Sequence, residues 1–164
     1  MAIQLTETKD LTRQETYELV ITQVKLLVSD ESNLVANLAN VSSLLKNTFE
    51  DYLWVGFYVA DPDSPEELVL GPFQGRPACT RIKFGNGVCG TSASKKQTII
   101  VDDVDQFPGH IVCDSLSKSE IVVPIIFNGN VRAVLDVDSD RLSNFNQTDS
   151  RYLEELVNIL TPLF

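Results

Sequence analysis

The feature that most limits the fold of this chain is a pair of apolar runs, Ile121 to Phe127 and Val131 to Asp138, joined by Asn128-Gly129-Asn130. Two such runs around Asn-Gly predict a β-hairpin. Side chains alternate between the two faces of a sheet, so a one-residue slip in the pairing moves every side chain to the other face. The hairpin is therefore expected in the register that keeps its apolar residues together.

Two loop lengths give different registers. A two-residue loop pairs Ile121 with Asp136, which sets an apolar residue against an acid. A three-residue loop gives a continuous apolar face, and Asn130 tolerates the left-handed conformation that such loops use. A bulge at Pro124 is the alternative that would shift this register. The three-residue loop, which we favour, gives these apolar pairs: Ile121 with Val137, Val123 with Leu135, Ile125 with Ala133, and Phe127 with Val131.

The same register places three carboxyl groups on the opposite face of the hairpin. Glu120 lies across from Asp138, Val122 lies across from Asp136, and the two aspartates are about 7 Å apart along their strand. Like charges at this spacing raise the pKa of at least one carboxyl group, which then keeps a proton near neutral pH. The acids are either the solvent side of the hairpin or a patch that holds a cation and supplies a proton.

An earlier run, Leu53 to Val59, predicts a strand with one apolar face and one aromatic face. Trp54, Gly56 and Tyr58 share the aromatic face. A glycine between two large rings predicts a gap with aromatic walls, suited to a thioether, a sulfoxide methyl group or an ammonium group. The alternative is that both rings are core residues packed beneath a helix.

The remaining patterns predict helices and short strands around these two features. Successive strands without helical crossovers predict an antiparallel sheet with helices packed on it, so the fold class is α+β. The length of 164 residues predicts one domain, 1–164, with an N-terminal helix in 1–30 and a core in 31–164. The predicted helices start at the capping box Thr12 to Glu15 and cover Leu34 to Leu45, Val88 to Lys96 and Gln147 to Leu160; the short strands are Glu67 to Leu70, Ala78 to Ile82 and Thr98 to Val101.

The charge of the chain excludes two classes of partner. The formal net charge is −10, and residues 100–140 hold eight acids against Lys118 and Arg132. Nucleic acids and anionic membranes both attract basic clusters, which this sequence lacks. The sequence also has neither a signal core nor an apolar run of about 20 residues, so we expect a cytoplasmic protein.

The three cysteines are an odd number and do not predict a disulfide framework. Cys89 follows Gly87-Val88 at the start of a predicted helix, where the positive end of the helix dipole favours a thiolate. Cys113 lies in an irregular loop after Pro108, and Cys79 in a short strand, where a cysteine is often a small buried hydrophobe. A zinc site from the three cysteines and His110 lacks the usual close cysteine pair, so no metal site is predicted.

From about Leu34 to Leu160 the chain resembles a GAF domain, and within that superfamily the free methionine-R-sulfoxide reductases. A generic GAF domain would share Val134 to Ser139 and the final helix, but it has no reason to hold these three cysteines. The motifs that carry the resemblance are Trp54-Val55-Gly56-Phe57-Tyr58, Cys79, Gly87-Val88-Cys89-Gly90, the loop 107–114, Glu120, Val123-Pro124-Ile125 and Val134 to Ser139.

The resemblance implies a GAF-like antiparallel sheet of about six strands packed between helices, with a substrate enclosed on one face. It implies Cys113 as the nucleophile and Cys79 as the resolving thiol, with Cys89 as a second resolving candidate or an alternative nucleophile. Trp54 and Tyr58 would surround the methyl end of the substrate. The acids Glu120, Asp136 and Asp138 would hold its polar groups, and Glu120 and Asp138 would also help protonate the sulfoxide oxygen.

The implied reaction is the thiol-dependent reduction of free methionine-R-sulfoxide through a cysteine sulfenic acid and an intramolecular disulfide. Thioredoxin, itself reduced with NADPH, would recycle that disulfide, and the chain would need no cofactor of its own. The expected partners are therefore free methionine-R-sulfoxide and thioredoxin, and a homodimer is left open. A non-catalytic GAF sensor and a zinc-binding structural module are the two rival classes.

Overall fold

A computed structural model describes residues 10–164 of the chain, which form four α-helices and one six-stranded sheet. Residues 1–9 of the predicted N-terminal segment lie outside this range. None of the described helices is long and apolar enough to cross a membrane. The elements are α1 (Arg13–Val28), α2 (Leu34–Thr48), β1 (Trp54–Asp61), β2 (Ser64–Gln74), β3 (Arg81–Lys83), α3 (Gly87–Lys95), β4 (Ile99–Val101), β5 (Ser119–Phe127), β6 (Asn130–Ser139) and α4 (Gln147–Leu160), with short 3-10 helices at Val104–Gln106 and Thr161–Leu163.

The strands form one sheet in the order β3-β2-β1-β6-β5-β4, and every neighbouring pair is antiparallel. Helices α1, α2 and α4 cover one face, and α3 packs on β5 and β6 on the other. The predicted α+β class and the GAF-like sheet of six strands between helices are therefore confirmed.

The predicted capping box starts α1. The Thr12 hydroxyl oxygen accepts from the backbone N–H of Glu15, and the Glu15 carboxylate accepts from the backbone N–H of Thr12 at 2.8 Å. These two bonds satisfy donors that a helix start otherwise leaves without partners. At the far end of the chain, Asn146 and Asp149 form a second capping box, which starts α4 at the predicted residue.

The β5–β6 hairpin has the predicted register over the site but not the predicted loop. Ile121 pairs with Val137, and Glu120 pairs with Asp138, as expected. The loop, however, has two residues, Asn128 and Gly129, both with positive φ. A bulge after Ile125 takes up the extra residue, so Phe127 pairs with Asn130 instead of Val131. The bulge lets an Asn-Gly turn coexist with the apolar register.

The β2–β3 connection also differs from the prediction. Strand β2 runs to Gln74, and β3 begins only at Arg81, so Cys79 lies in a loop and not in a strand. Cys79 is half-buried at the rim of the second apolar cluster. This loop carries Cys79 over the face of the sheet that α3 covers.

Helix α1 is held to the rest of the fold by the guanidinium group of Arg13. Its Nε donates to Asp149 at 2.5 Å and its Nη1 donates to Asp51 at 2.8 Å, while Tyr17 also donates to the fully buried Asp149 at 2.7 Å. The Arg13 group lies 5.3 Å from the ring centroid of Phe49, within the range of a cation–π contact. The charge of Arg13 therefore joins α1 to α4 and to the connection between α2 and β1.

We expect Arg13→Met to lower the free energy of unfolding by about 3 kcal/mol, because it leaves the buried carboxylate of Asp149 without its cation. Urea denaturation measures this loss. The control is Arg81→Met, since Arg81 pairs with Asp61 and Glu67 at the surface and such pairs add little stability. Equal denaturation midpoints for the two variants would contradict the role assigned to Arg13.

Candidate active site

A small cavity lies on the α3 side of the sheet, above β1, β5 and β6, and its volume is about 40 Å³. Loop 75–80 and the loop between β4 and β5 close over it. Seven of the eight predicted site residues line the cavity: Trp54, Tyr58, Cys89, Cys113, Glu120, Asp136 and Asp138. The eighth, Cys79, does not line the cavity but is bonded to Cys113.

The three carboxyl groups of the hairpin form one buried patch in this cavity. The register sets Glu120 beside Asp138, and Asp136 follows two residues away on the same face of β6. Glu120 and Asp136 are each only 6% exposed. The interpretation as a solvent-facing side of the hairpin is therefore wrong for these acids, although Asp102, Asp105 and Asp140 of the same acidic segment are exposed.

Burial keeps protons in this patch. It raises the pKa of Glu120 and of Asp138 well above the usual range, and the charge of Asp136 raises both further. Burial also raises the pKa of Asp136, but the polar side chains of Cys89 and Glu120 stabilise its carboxylate and limit the pKa to about 6. Near neutral pH, Asp136 is therefore the acid that ionises first, while a proton remains on its neighbours. The patch can attract a cation and donate a proton at the same time.

Trp54 and Tyr58 form the aromatic wall of the cavity. The Trp54 indole N–H donates to the carbonyl of Arg76 at 3.0 Å, and the Tyr58 hydroxyl donates to the carbonyl of Cys79 at 3.0 Å. Both rings thus hold loop 75–80 over the site. The predicted gap above Gly56 is wrong, because the Trp54 ring and the side chain of Phe73 occupy that space.

The three cysteines differ in bonding and in exposure to solvent. Cys79 and Cys113 form a disulfide with a Cα–Cα distance of 5.6 Å, and it links loop 75–80 to the loop between β4 and β5. Cys113 is exposed, Cys79 is half-buried and Cys89 is a buried free thiol. Among the three, Cys113 and Cys79 are therefore the pair that can exchange with an external thiol.

The expectation of a thiolate at Cys89 is wrong. Cys89 does lie in the first turn of α3, as predicted. Burial raises the pKa of its thiol well above the usual range, and the negative charges of Asp136 and Glu120 raise it further. Desolvation and two like charges outweigh a helix dipole, which contributes only about 0.3–1 kcal/mol at most helix ends.

Four further polar residues at the cavity are absent from the set predicted as its site: Arg76, His110, Asp114 and Ser117. Arg76 lies 3.5 Å from Asp114 at the mouth, and the nearby Ser117 side chain lowers the pKa of Asp138 against the larger effect of burial. His110 is 4.0 Å from Glu120, and burial lowers the pKa of its imidazole, so it is neutral at this position. These side chains come from irregular loops, where the sequence has no periodicity to show which way a side chain points.

Comparison with known proteins agrees with this geometry. The GAF domain family model matches residues 34–162. GAF domain-containing protein A of Dictyostelium discoideum is 51% identical over 90% of this chain and 92% of its own length. The free methionine-R-sulfoxide reductase of Saccharomyces cerevisiae is 44% identical over 92% of this chain and 87% of its own. A free methionine-R-sulfoxide reductase from Neisseria meningitidis, solved in complex with its substrate, is 47% identical and superimposes with a TM-score of 0.92 over 99% of this chain and 95% of its own. This chain belongs to the GAF domain family and, within it, to the free methionine-R-sulfoxide reductases.

Proposed function

We propose that this chain reduces free methionine-R-sulfoxide to methionine, with its cysteines as the immediate electron donors. The observation that carries the proposal is the placement of an exchangeable disulfide at the mouth of a cavity that buries three carboxyl groups. Each part has a use in sulfoxide reduction: a thiol to attack sulfur, an acid to protonate oxygen and a second thiol to form the disulfide.

The buried acids account for selection of the free amino acid. Oδ1 of Asp136 is buried and has no hydrogen-bond partner among residues 10–164, so it is available to a ligand. The ammonium group of a free amino acid supplies both a donor and the charge that offsets this carboxylate. A methionine within a chain has an uncharged amide there instead. The enclosed cavity and the acids therefore both favour the free substrate, and Trp54 and Tyr58 would receive its methyl end.

The reaction follows from these positions. The thiolate of Cys113 attacks the sulfoxide sulfur while Glu120 or Asp138 donates a proton to the oxygen, and methionine leaves as the Cys113 sulfur becomes a sulfenic acid. The thiol of Cys79 then condenses with the sulfenic acid, releasing water and forming the Cys79–Cys113 disulfide. An external dithiol returns both cysteines to thiols by exchange. No cofactor bound to the chain takes part, and all these groups come from one domain, which we propose spans residues 1–164.

Thioredoxin is the proposed external dithiol, and the cytoplasm, where thiols are kept reduced, is the proposed location. Val112 and Leu116 flank the loop position of Cys113 and are 65% and 42% exposed. An apolar surface beside an exposed disulfide suits a dithiol protein that must bring its own thiol against Cys113. A homodimer is not needed for this chemistry and stays a prediction.

We expect Val112→Asp to raise the KM for thioredoxin about tenfold, because it places a charge in the proposed contact surface. Turnover driven by dithiothreitol should keep its rate, since a small dithiol needs no docking surface. The matched control is Leu26→Asp, because Leu26 is a similarly exposed apolar residue on α1. An unchanged KM for thioredoxin in Val112→Asp would exclude this surface as the docking site.

The proposed function is tested with the purified protein, thioredoxin, thioredoxin reductase and NADPH. NADPH loss is followed with each free methionine sulfoxide epimer and, in parallel, with a peptide-bound sulfoxide. Consumption with the free R epimer alone is the expected result. No consumption with any of the three, given reduced cysteines and an active reductase control, would reject the enzyme and favour the GAF sensor.

A further inference from the structure

The proposed reaction leaves Cys89 without a step, yet this thiol lies beside two of the acids. The Cys89 sulfur, a carboxyl oxygen of Glu120 and a carboxyl oxygen of Asp136 all lie within 4.8 Å of one another. All three residues are buried, and within the described part of the chain Oδ1 of Asp136 has no hydrogen-bond partner. A thiol and two carboxyl groups converge here on the same small cavity.

We propose that Cys89, Glu120 and Asp136 form a binding site for Zn²⁺ or the chemically similar Cd²⁺, with water in the remaining position, and that the bound ion blocks the substrate cavity. This set differs from a zinc site made of the three cysteines and His110. Two of those cysteines are joined in the disulfide, whereas Cys89 is free.

The geometry allows such a site after small side-chain movements. Zinc bonds to sulfur at about 2.3 Å and to carboxylate oxygen at about 2.0–2.2 Å, so tetrahedral ligands lie about 3.3–3.6 Å apart. The observed atoms lie within 4.8 Å of one another, so they need to approach by at most about 1.5 Å, which rotation of the carboxylate side chains can supply. The cavity of about 40 Å³ exceeds the roughly 10–15 Å³ that one water needs, so it has room for an ion and a water.

The charge and the ligand type both favour a thiophilic divalent ion. Within residues 10–164 the ion pairs of these acids comprise only His110 with Glu120, at a distance of 4.0 Å. A divalent cation would offset the charges of the buried acids. A thiolate selects Zn²⁺ or Cd²⁺ over Mg²⁺ and Ca²⁺, which prefer sites made of oxygen alone. Because the ligands must lose protons, the affinity is expected to rise with pH.

The disulfide form of the protein isolates the proposed ligand for a direct test. The chain has three cysteines, and two are in the disulfide, so Cys89 is then its one thiol. Cd²⁺ added to the oxidised protein should produce the ultraviolet charge-transfer band of a cadmium–thiolate bond, saturating at one ion per chain and reversed by Zn²⁺. The band should be absent in Cys89→Ser and should saturate at lower Cd²⁺ at pH 8 than at pH 6.

Carboxylate variants distinguish binding by all three side chains from binding by the Cys89 thiol alone. We expect Asp136→Asn and Glu120→Gln to weaken Cd²⁺ binding at least about tenfold, the lower end of what loss of a supporting group costs. Asp105→Asn, which removes an exposed carboxylate outside the cluster, should bind as the unchanged protein does. No band in the unchanged protein would overturn the proposal, and so would full affinity in both cavity variants, because Cys89 would then bind alone.

The inhibitory consequence rests on the proposed function and is measured separately. Zn²⁺ should raise the apparent KM for free methionine-R-sulfoxide without changing kcat, and a chelator should reverse the effect. Zinc binding with an unchanged apparent KM would overturn the claim that the ion blocks the substrate. The cadmium titration needs no turnover, so failure of the reductase assay and failure of the metal site are distinguishable.

Discussion

We expect Cys113→Ser to abolish reduction of free methionine-R-sulfoxide, with kcat falling by at least about three orders of magnitude. A serine hydroxyl is far less ionised and far less nucleophilic toward sulfur than a thiol. Cys113 is also the exposed member of the disulfide and the one that lines the cavity. The measurement is methionine formed in a single turnover by the prereduced protein, which needs no recycling step.

The matched variant is Cys79→Ser, which removes the resolving thiol and leaves the nucleophile. We expect it to form about one methionine per chain in the first turnover, because Cys113 still reaches the sulfenic acid stage. Steady-state turnover with thioredoxin should fall steeply, since no Cys79–Cys113 disulfide can form. A sulfenic acid trapped at Cys113 by a dimedone-type reagent would identify the stalled intermediate.

Cys89→Ser separates the two candidate resolving thiols. We expect mass spectrometry to find the Cys79–Cys113 disulfide in this variant after one turnover, because Cys89 is buried and its raised thiol pKa disfavours reaction. Full activity in Cys113→Ser would reject Cys113 as the nucleophile. A disulfide lost in Cys89→Ser but kept in Cys79→Ser would transfer the resolving role to Cys89.

The hairpin shows how far the sequence predicts this fold. The side-by-side placement of Glu120 and Asp138 on one face follows from the alternation of apolar and acidic residues, because a one-residue slip would bury the wrong face. The loop length does not follow from alternation. The chain keeps both the Asn128-Gly129 turn and the apolar register by adding a bulge after Ile125, a local distortion that no periodic pattern shows.

The site shows the opposite case, in which contacts depend on irregular loops. Cys79 and Cys113 are 34 residues apart, and from the residues alone each cysteine could be explained separately. Only the family resemblance pointed to a pair. The filling of the space above Gly56 is also not predictable from the sequence, because strand alternation gives the face of Trp54 but not the direction in which its ring folds back over its neighbours.

A final pair of variants tests two of the buried acids, Glu120 and Asp138, as proton donors. We expect Glu120→Gln to lower kcat about 10²–10⁴-fold, because the amide keeps the shape of the side chain but cannot act as a general acid. Asp138→Asn should act in the same direction. The exposed Asp105→Asn is the control, and an unchanged kcat in both cavity variants would remove proton delivery from their roles.

The pH dependence of stability tests the third buried acid, Asp136, as the group that holds a negative charge in the cavity. Burial raises the pKa of Asp136 from 3.8 to about 6, so between these values the folded chain binds more protons than the unfolded chain. The free energy of unfolding therefore falls as pH rises through that range, by up to about 3 kcal/mol for this group. The amide of Asp136→Asn cannot ionise, so the free energy of unfolding of this variant does not fall in that range. We expect urea denaturation to find the variant close to the unchanged protein near pH 4 and more stable above pH 6. The reverse order above pH 6 would mean that the carboxylate stabilises the fold. The expected order would show that the site holds its charge for the ligand, at a cost to stability.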